Sequence, residues 1–399
     1  MTVSALTDAT IFTGEAFVEG HALLVKDGKV ADIVRKIPGD AKVVSHAGKI
    51  LAPGFIDAQV NGGGNVFLNN TPTAEACLAI AAAHRAYGTS HILPTVITDT
   101  PEVTAKAVAA VREARRKDKS ILGIHIEGPH LSEARRGVHK AEYLRKLSDE
   151  DLKLYRPEAG DPPTRISSND DSSGEELRGT GVMLVTLAPE CASPEQIKQL
   201  RAQGVIVSIG HTQATPEQTR AALAAGATGF THLFNGMGGL SARGNGPADV
   251  ALDDRNSWCG IIADGHHVIA EMIRLAVRVK PEKIFLVSDA MPPSASHDPK
   301  PFQLYGETIR AEGGRCVNGE GKLAGAVLTI GEAVHNCVKK FGIEPDDVLR
   351  MASTYPAAFL GLDKSLGKLV PGYEASVAVL TTEFKFLHVV PENLRKDIT

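Results

Sequence analysis

Apolar positions change their period twice along the chain. Up to residue 51 they fall in short runs of strand length. Runs 21–26 and 29–34 flank Asp27-Gly28, a strong two-residue hairpin signal, and 43–45 and 49–51 continue the pattern. No long helical period occurs before Thr73. From Pro53 onward, apolar runs alternate with Ala-rich amphipathic segments, the signature of repeated βα units. Eight strand-length runs can be read, at 54–60, 91–97, 121–126, 182–188, 205–209, 229–234, 258–263 and 284–288. Helices are predicted over 73–87, 101–117, 142–154, 194–203, 216–225 and 267–279, and Pro101, Pro194 and Pro216 stand just inside a start, where proline is favoured. Past the eighth run come hairpin material around Asn318-Gly319, two helical stretches (327–341 and 345–360) and a return to strand texture over 367–380.

Eight such units close naturally into a barrel. The predicted fold class is therefore α/β: a (β/α)8 TIM barrel over 54–364, with a small β-sandwich domain built from both chain termini, 1–53 and 365–399. A doubly wound sheet is the alternative, but no GxGxxG follows a strand to support it. The polar segment 156–181 interrupts the rhythm and reads as a surface loop, with a lid over the site as the other reading.

Composition narrows the function classes. At 399 residues the chain holds ample apolar material, 43%, for a full core. Its net charge is −4 with no basic stripe, which argues against nucleic acid as a partner. No apolar run approaches the roughly 18 residues of a membrane span, and the N-terminus lacks the basic-then-apolar pattern of a signal peptide. Cys77, Cys191, Cys259, Cys316 and Cys337 form no CxxC pair, and their odd number suits reduced thiols in a cytoplasm.

The chemistry collects at one end of the strands. The first ends in Asp57-Ala-Gln59-Val-Asn61, the third delivers His125 and Glu127, and the fifth gives His211. The sixth gives His232 and Asn235, the seventh Asp264-Gly-His266-His267, and the eighth Asp289. Structural histidines and acids would be spread over both ends of the strands; here they cluster at the C-terminal end, where barrel enzymes keep their catalytic groups. Glu127, His211 and His232 supply one oxygen and two imidazole nitrogens, a set suited to a catalytic divalent metal with an open position. Taken singly, each histidine reads equally as a hydrogen-bonded core residue; the coincidence of strand ends favours the ligand reading. Asp289 is then placed as general acid and base.

Longer runs carry the same message. APGFIDAQVNGGG (52–64), LPTVIT (93–98), HIEGPHLSEARRGVH (125–139), VTLAPE (185–190), SIGHT (208–212), THLFNGM (231–237), ADGHHV (263–268), LVSDAM (286–291) and LAGA (323–326) follow in order over nearly the whole chain. Together they resemble the amidohydrolase superfamily and, within it, the N-acetylglucosamine-6-phosphate deacetylase family. Most of the superfamily carries His-x-His at the end of the first strand; Gln59 and Asn61 stand there in this sequence, as a remnant of a second metal site. The resemblance implies one divalent ion on Glu127, His211 and His232, with zinc first and iron, manganese or cobalt as alternatives, and Asp289 as acid/base. It implies contacts to a small-molecule amino-sugar phosphate from Val138, His139, Asn235, Gly236, Arg243 and His267, with Leu323, Ala324 and Gly325 near the acetyl group. It also implies a homodimer. The activity implied is removal of the acetyl group of N-acetylglucosamine 6-phosphate in amino-sugar catabolism. Another cyclic amidase or deaminase of the superfamily is the enzymatic alternative, and a relative that has lost its metal the non-catalytic one. His130, His266 and Glu374 depart from the family pattern.

Overall fold

A computed structural model describes residues 3–156, 181–244 and 246–390; the segment 156–181 named above, apart from its two end residues, lies outside them, as does the end of the chain from 391. Eight parallel strands form one sheet in sequential order: β1 (Phe55–Val60), β2 (Thr89–Ile97), β3 (Gly123–Glu127), β4 (Val182–Leu187), β5 (Ile206–Ile209), β6 (Gly229–Phe230), β7 (Trp258–Ile262) and β8 (Ile284–Val287). A parallel bridge between Val60 and Ala290, and the Asp289 N–H donating to the Gln59 carbonyl at 3.1 Å, close β8 onto β1. Asp57 reinforces the seam, its Oδ1 accepting from the N–H groups of Gln59 and Ser288 at 3.1 and 3.2 Å. Burial pushes this carboxyl up to about 7. The expected (β/α)8 barrel is the observed one, and strands buried on both faces explain the near-continuous apolar runs.

Helices Ala74–Arg85, Pro101–Lys117, Pro194–Ala202, Pro216–Ala224 and Ala270–Val279 lie where the sequence places them. Thr73, Thr100, Ser193 and Thr215 cap the first four, each hydroxyl accepting from a first-turn N–H. Four expectations are corrected. The helix expected over 142–154 is a 3-10 turn, Ala141–Tyr143, followed by a helix only at Asp149–Leu154, because Ser148 and Asp151 form a capping box that starts it there. Helix 327–341 is shortened to Ile330–His335, capped by Thr329, and runs on as a π-helical turn over Asn336–Lys340. Helix 345–360 breaks at Ser353 into Pro345–Ala352 and Thr354–Phe359. The sixth strand pairs over two residues rather than six, since the chain turns at His232. Helix Pro247–Asp253 went unforeseen.

Two accessory layers flank the barrel. Strands Phe302–Leu304, Glu307–Glu312, Arg315–Val317 and Leu323–Ala326 form an antiparallel sheet, joined to the end of β8 by a bridge between Ala290 and Ala326. Its apolar cluster includes Phe67, Ile97 and Met291, so it packs on the C-terminal mouth of the barrel. The chain's two ends build a small β-sandwich. One sheet holds Ser4–Thr7, Ala22–Lys26, Lys29–Val34 and Lys42–Ser45. The other pairs Ile50–Pro53 with Thr10–Phe12 on one side and Val377–Leu380 on the other. Leu6, Leu23, Val25, Leu51, Val377 and Val379 share one core between them. Asp27 and Gly28 turn the expected hairpin with φ of 52° and 71°, which matches the twist of the flanking strands. Gly54 joins sandwich to barrel, and only glycine fits: an added Cβ would lie 2.2 Å from the hydroxyls of Ser90 and Ser376.

Candidate metal and catalytic site

The site is built on strand ends. On β3, the two-residue period puts His125 and Glu127 on the same face. His125 sits one layer below: its Nε2 meets the Thr186 hydroxyl at 2.7 Å, and the chain of hydroxyls runs on through Thr231 to Ser208 at 2.7 and 2.8 Å. Burial pushes this imidazole down to about 4, so it is neutral, and the layer forms a rigid polar floor.

Above that floor three donor atoms converge. Glu127 Oε1 lies 2.9 Å from His232 Nε2 and 3.3 Å from His211 Nε2, and the two nitrogens are 3.0 Å apart. The Arg135 carbonyl accepts from His211 Nδ1 at 2.8 Å, which fixes the tautomer and leaves the Nε2 lone pair facing inward. Two imidazole nitrogens 3.0 Å apart beside a carboxylate oxygen form a compact set of donor atoms facing one point. For an ion with tetrahedral bonds of ~2.0–2.1 Å, donors stand about 3.3 Å apart, close to the edges of this triangle. The buried Glu127–His211–His232 group can therefore hold a divalent ion. His139 also brings a ligand atom within 4.8 Å of those of Glu127 and His211. Its Nδ1 is engaged by the Thr98 hydroxyl at 2.8 Å, and its ring centroid stands 4.5 Å from that of His211. Burial would push the Glu127 carboxyl up, but His211 and His232 hold it well below the usual carboxylate range. Burial pulls His232 down and Glu127 more than reverses this, leaving it raised.

Asp289 stands at the end of β8 beside this group. Its Oδ1 accepts from Asn61 Nδ2 at 2.7 Å and Gln59 Nε2 at 3.2 Å, and the same Gln59 amide donates to Glu127 Oε1 at 3.0 Å. The two residues standing where the superfamily carries His-x-His are thus amide donors that hold both carboxylates in place. Burial and the Glu127 charge push Asp289 up, while His232, His267 and the Asn61 donor pull it back. The backbone is left-handed at three of the same residues: His211, His232 and Asp289 have φ of 47°, 33° and 49°, values that non-glycine residues adopt at a cost of about 1–3 kcal/mol.

These groups open into a cavity of about 340 Å³, lined also by Asn61, Val138, His139, Asn235, Gly236, His267, Leu323 and Gly325. Asp264 Oδ2 accepts from His267 Nδ1 at 2.6 Å, orienting that ring. Gly236, at φ 58°, passes so close to His211 that a Cβ would stand 2.8 Å from its Nδ1. Two of the residues expected at the substrate stand off this lining. Ala324 is fully buried and does not line the cavity, because strand alternation sends it to the opposite face from Leu323 and Gly325. Arg243 sits exposed on a glycine-rich loop, its backbone N–H on the Ser241 hydroxyl at 3.3 Å, and does not line the cavity either. Ile97, Ala134, Arg135, Gly137 and Met291 line it without having been singled out; Arg135 at least stood inside the 125–139 run as one of a basic pair. Of the two histidines that depart from the family pattern, His130 is a buried structural residue on the Tyr155 hydroxyl at 3.0 Å, and His266 is exposed.

Comparison with known proteins identifies the family. The amidohydrolase family model matches residues 50–392 and the NagA composite domain matches 4–51. An N-acetylgalactosamine-6-phosphate deacetylase of Shewanella sp. (strain ANA-3) is 37% identical over 96% of this chain and 93% of its own length. An N-acetylglucosamine-6-phosphate deacetylase of Haemophilus influenzae is 31% identical over 97% of each. The crystal structure of N-acetylglucosamine-6-phosphate deacetylase from Pasteurella multocida superposes with a TM-score of 0.88 at 32% identity, covering 97% of this chain and 98% of that one. The strand-end acids and histidines, the closed barrel that presents them and these matches along nearly the whole length lead to one conclusion: the chain belongs to the amidohydrolase family.

Proposed function

We propose that the protein hydrolyses the N-acetyl group of N-acetylglucosamine 6-phosphate, giving glucosamine 6-phosphate and acetate. The observation that carries this reading is the Glu127–His211–His232 triangle with Asp289 beside it, held by the amides of Gln59 and Asn61. Glu127, His211 and His232 would hold one divalent ion, zinc first. When bound, such an ion polarises a carbonyl oxygen and lowers the pKa of water. Asp289 takes the proton of the attacking water and passes it to the departing amine, a poor leaving group until protonated. His139 is kept neutral, its burial pushing it down to about 3. Its Nδ1 shares a hydrogen bond with the Thr98 hydroxyl at 2.8 Å, and in the tautomer protonated at Nε2 that nitrogen donates to the amide carbonyl. His267, backed by Asp264, and Asn235 face the sugar.

A second reading is favoured by one finding: the Shewanella relative, named for the galacto epimer, is 37% identical against 31% for the Haemophilus one. Acetate release from both N-acetylhexosamine 6-phosphates decides between them. The glucose epimer is expected to give the higher kcat/KM; a reversed ratio transfers the assignment to the galactose epimer, and no acetate from either removes it.

The protein is further proposed to act as a homodimer in the cytoplasm, with residues 1–53 and 365–399 as one domain and 54–364 as the catalytic one. Ile269, Leu275 and Val279, large apolar side chains exposed along one outer helix, support a subunit contact. Five unpaired cysteines, four of them buried, support a reducing compartment. Among the described residues, no helix is long and apolar enough to cross a membrane. Light scattering on purified protein is expected to return twice the chain mass, and a single-chain mass removes the dimer.

A further inference from the structure

We propose that a second cavity, behind the wall of the catalytic one, binds a small carboxylate with an apolar body, and that its occupant acts on the catalytic site through Asp264 and His267. The cavity measures about 550 Å³, inside the range of about 300–1,000 Å³ usual for ligand sites. Three layers meet around it, and ligand pockets favour such junctions. The barrel contributes Asp264 and His266, just past β7. The antiparallel sheet contributes the Gly313-Gly314 turn, and the sandwich contributes Lys385 and Phe386 at the start of its strand Phe386–Val389. A Cβ on Gly314 would meet His266 Nε2 at 3.5 Å, so this extra histidine lies against the turn and lines the second cavity, not the first.

The lining sets the class of ligand. Tyr87, Val327, Leu328 and Phe386 supply apolar surface. The acids in the wall are already committed. Asp264 Oδ1 accepts from the N–H groups of His266 and His267 at 2.8 Å, and Glu332 Oε2 accepts from the N–H and hydroxyl of Thr329 at 2.9 Å. The lysines are not. The Lys340 ammonium makes no hydrogen bond or ion pair with the described residues. Glu383, the acid nearest in charge to Lys385, is paired with Lys339. An ammonium on a flexible four-carbon stem can turn onto an incoming anion. A carboxylate on a compact apolar body meets both halves of this lining.

Two ties join the cavity to the catalytic one. Asp264 stands in its wall and orients His267, accepting from Nδ1 at 2.6 Å. Asn336 also lines it and donates from Nδ2 to the Ala263 carbonyl at 3.1 Å, one residue before Asp264. Asn336 and Lys340 are the first and last residues of the π-helical turn, a distortion found often at functional sites. An occupant of the cavity therefore packs against the wall that aims His267 at the sugar.

Benzoate is the probe, with benzyl alcohol as its neutral counterpart. Calorimetry on the full chain is expected to show saturable binding of benzoate and weaker binding of benzyl alcohol. Lys340→Glu combined with Lys385→Glu should abolish the benzoate signal, and Lys340→Arg combined with Lys385→Arg should keep it. In acetate release from N-acetylglucosamine 6-phosphate, saturating benzoate should shift the parent's KM about fivefold or more, the low end of coupling between sites, with kcat moving less. Without benzoate the charge-reversed variant should work as the parent does. Benzoate that does not bind the parent, or binds parent and charge-reversed variant alike, overturns the site. A KM shift that persists in the charge-reversed variant puts benzoate in the catalytic cavity and overturns it as well. A KM unmoved by saturating benzoate overturns the action through His267. Calorimetry needs no turnover, so it decides for the cavity even where neither sugar yields acetate, a result that sinks the deacetylase reading alone.

Discussion

Asp289→Asn is expected to leave a folded, metal-replete protein whose turnover is lower by roughly 10²–10⁴, the contribution of a positioned acid/base. Asparagine keeps the shape of the side chain and loses its basicity, so the water proton has nowhere to go and the amine leaves unprotonated. The effect should fall on kcat, because Asp289 is not one of the donors in the Glu127–His211–His232 triangle and because its proton transfers belong to the chemical step. Gln59 and Asn61 sharpen the prediction. Both point N–H groups at Asp289 Oδ1, an arrangement that suits a carboxylate oxygen. An asparagine side chain offers one oxygen only and must present it to these two amides, with its NH₂ turned toward the cavity. The measurement is kcat for acetate release beside metal content on the same sample. Near-parental turnover in a metal-replete variant assigns the proton transfers to another group.

His211→Ala and His232→Ala are expected to empty the metal site. The outer partners of metal ligands already govern 10–100-fold in metal affinity, so removing a ligand from a set of three should exceed about 100-fold. The loss propagates through the triangle: both histidines hold the buried Glu127 carboxyl in its charged form, and without them burial pushes it toward protonation. One equivalent of metal per parent chain is expected rather than two, since Gln59 and Asn61 are occupied in holding the carboxylates. Elemental analysis after dialysis against a buffered chelator reads both numbers, with circular dichroism as the check on folding. Full occupancy in the double Ala variant, or two equivalents in the active parent, overturns the single-ion assignment.

Much of this was legible before any coordinates, and for a physical reason. A strand buried on both faces must read as apolar, so polar residues at its end announce where it stops and which end faces the cavity. That is how Glu127, His211, His232 and Asp289 stood out together. What stayed hidden depended on backbone geometry. The period-two rule applied to 323–326 would have turned Ala324 away from Gly325, but only once that run was known to be a strand. Arg135 gains its place from a short 3-10 turn that folds back on the fifth strand's histidine, and no periodicity marks such a turn. Arg243 entered by resemblance alone, and it stands exposed on a loop of glycines and Ser241. The breaks at Ser353 and after His335 occur inside amphipathic patterns that look continuous from sequence.

The left-handed backbone at His211, His232 and Asp289 limits how this site can evolve. Histidine, aspartate and asparagine are the side-chain-bearing residues that tolerate such a conformation best, and glycine offers no ligand. Glutamate and cysteine could serve the chemistry of a metal or a proton but would strain the chain at these three positions. Glu127, on a regular strand, carries no such restriction. Drift toward a softer metal, or toward a longer acid for a larger substrate, is therefore open at the third strand and obstructed at the fifth, sixth and eighth. The shape of the main chain constrains the proposed ligand set as much as the reaction does, and a laboratory lineage forced to change metals should find its first accepted substitution at 127.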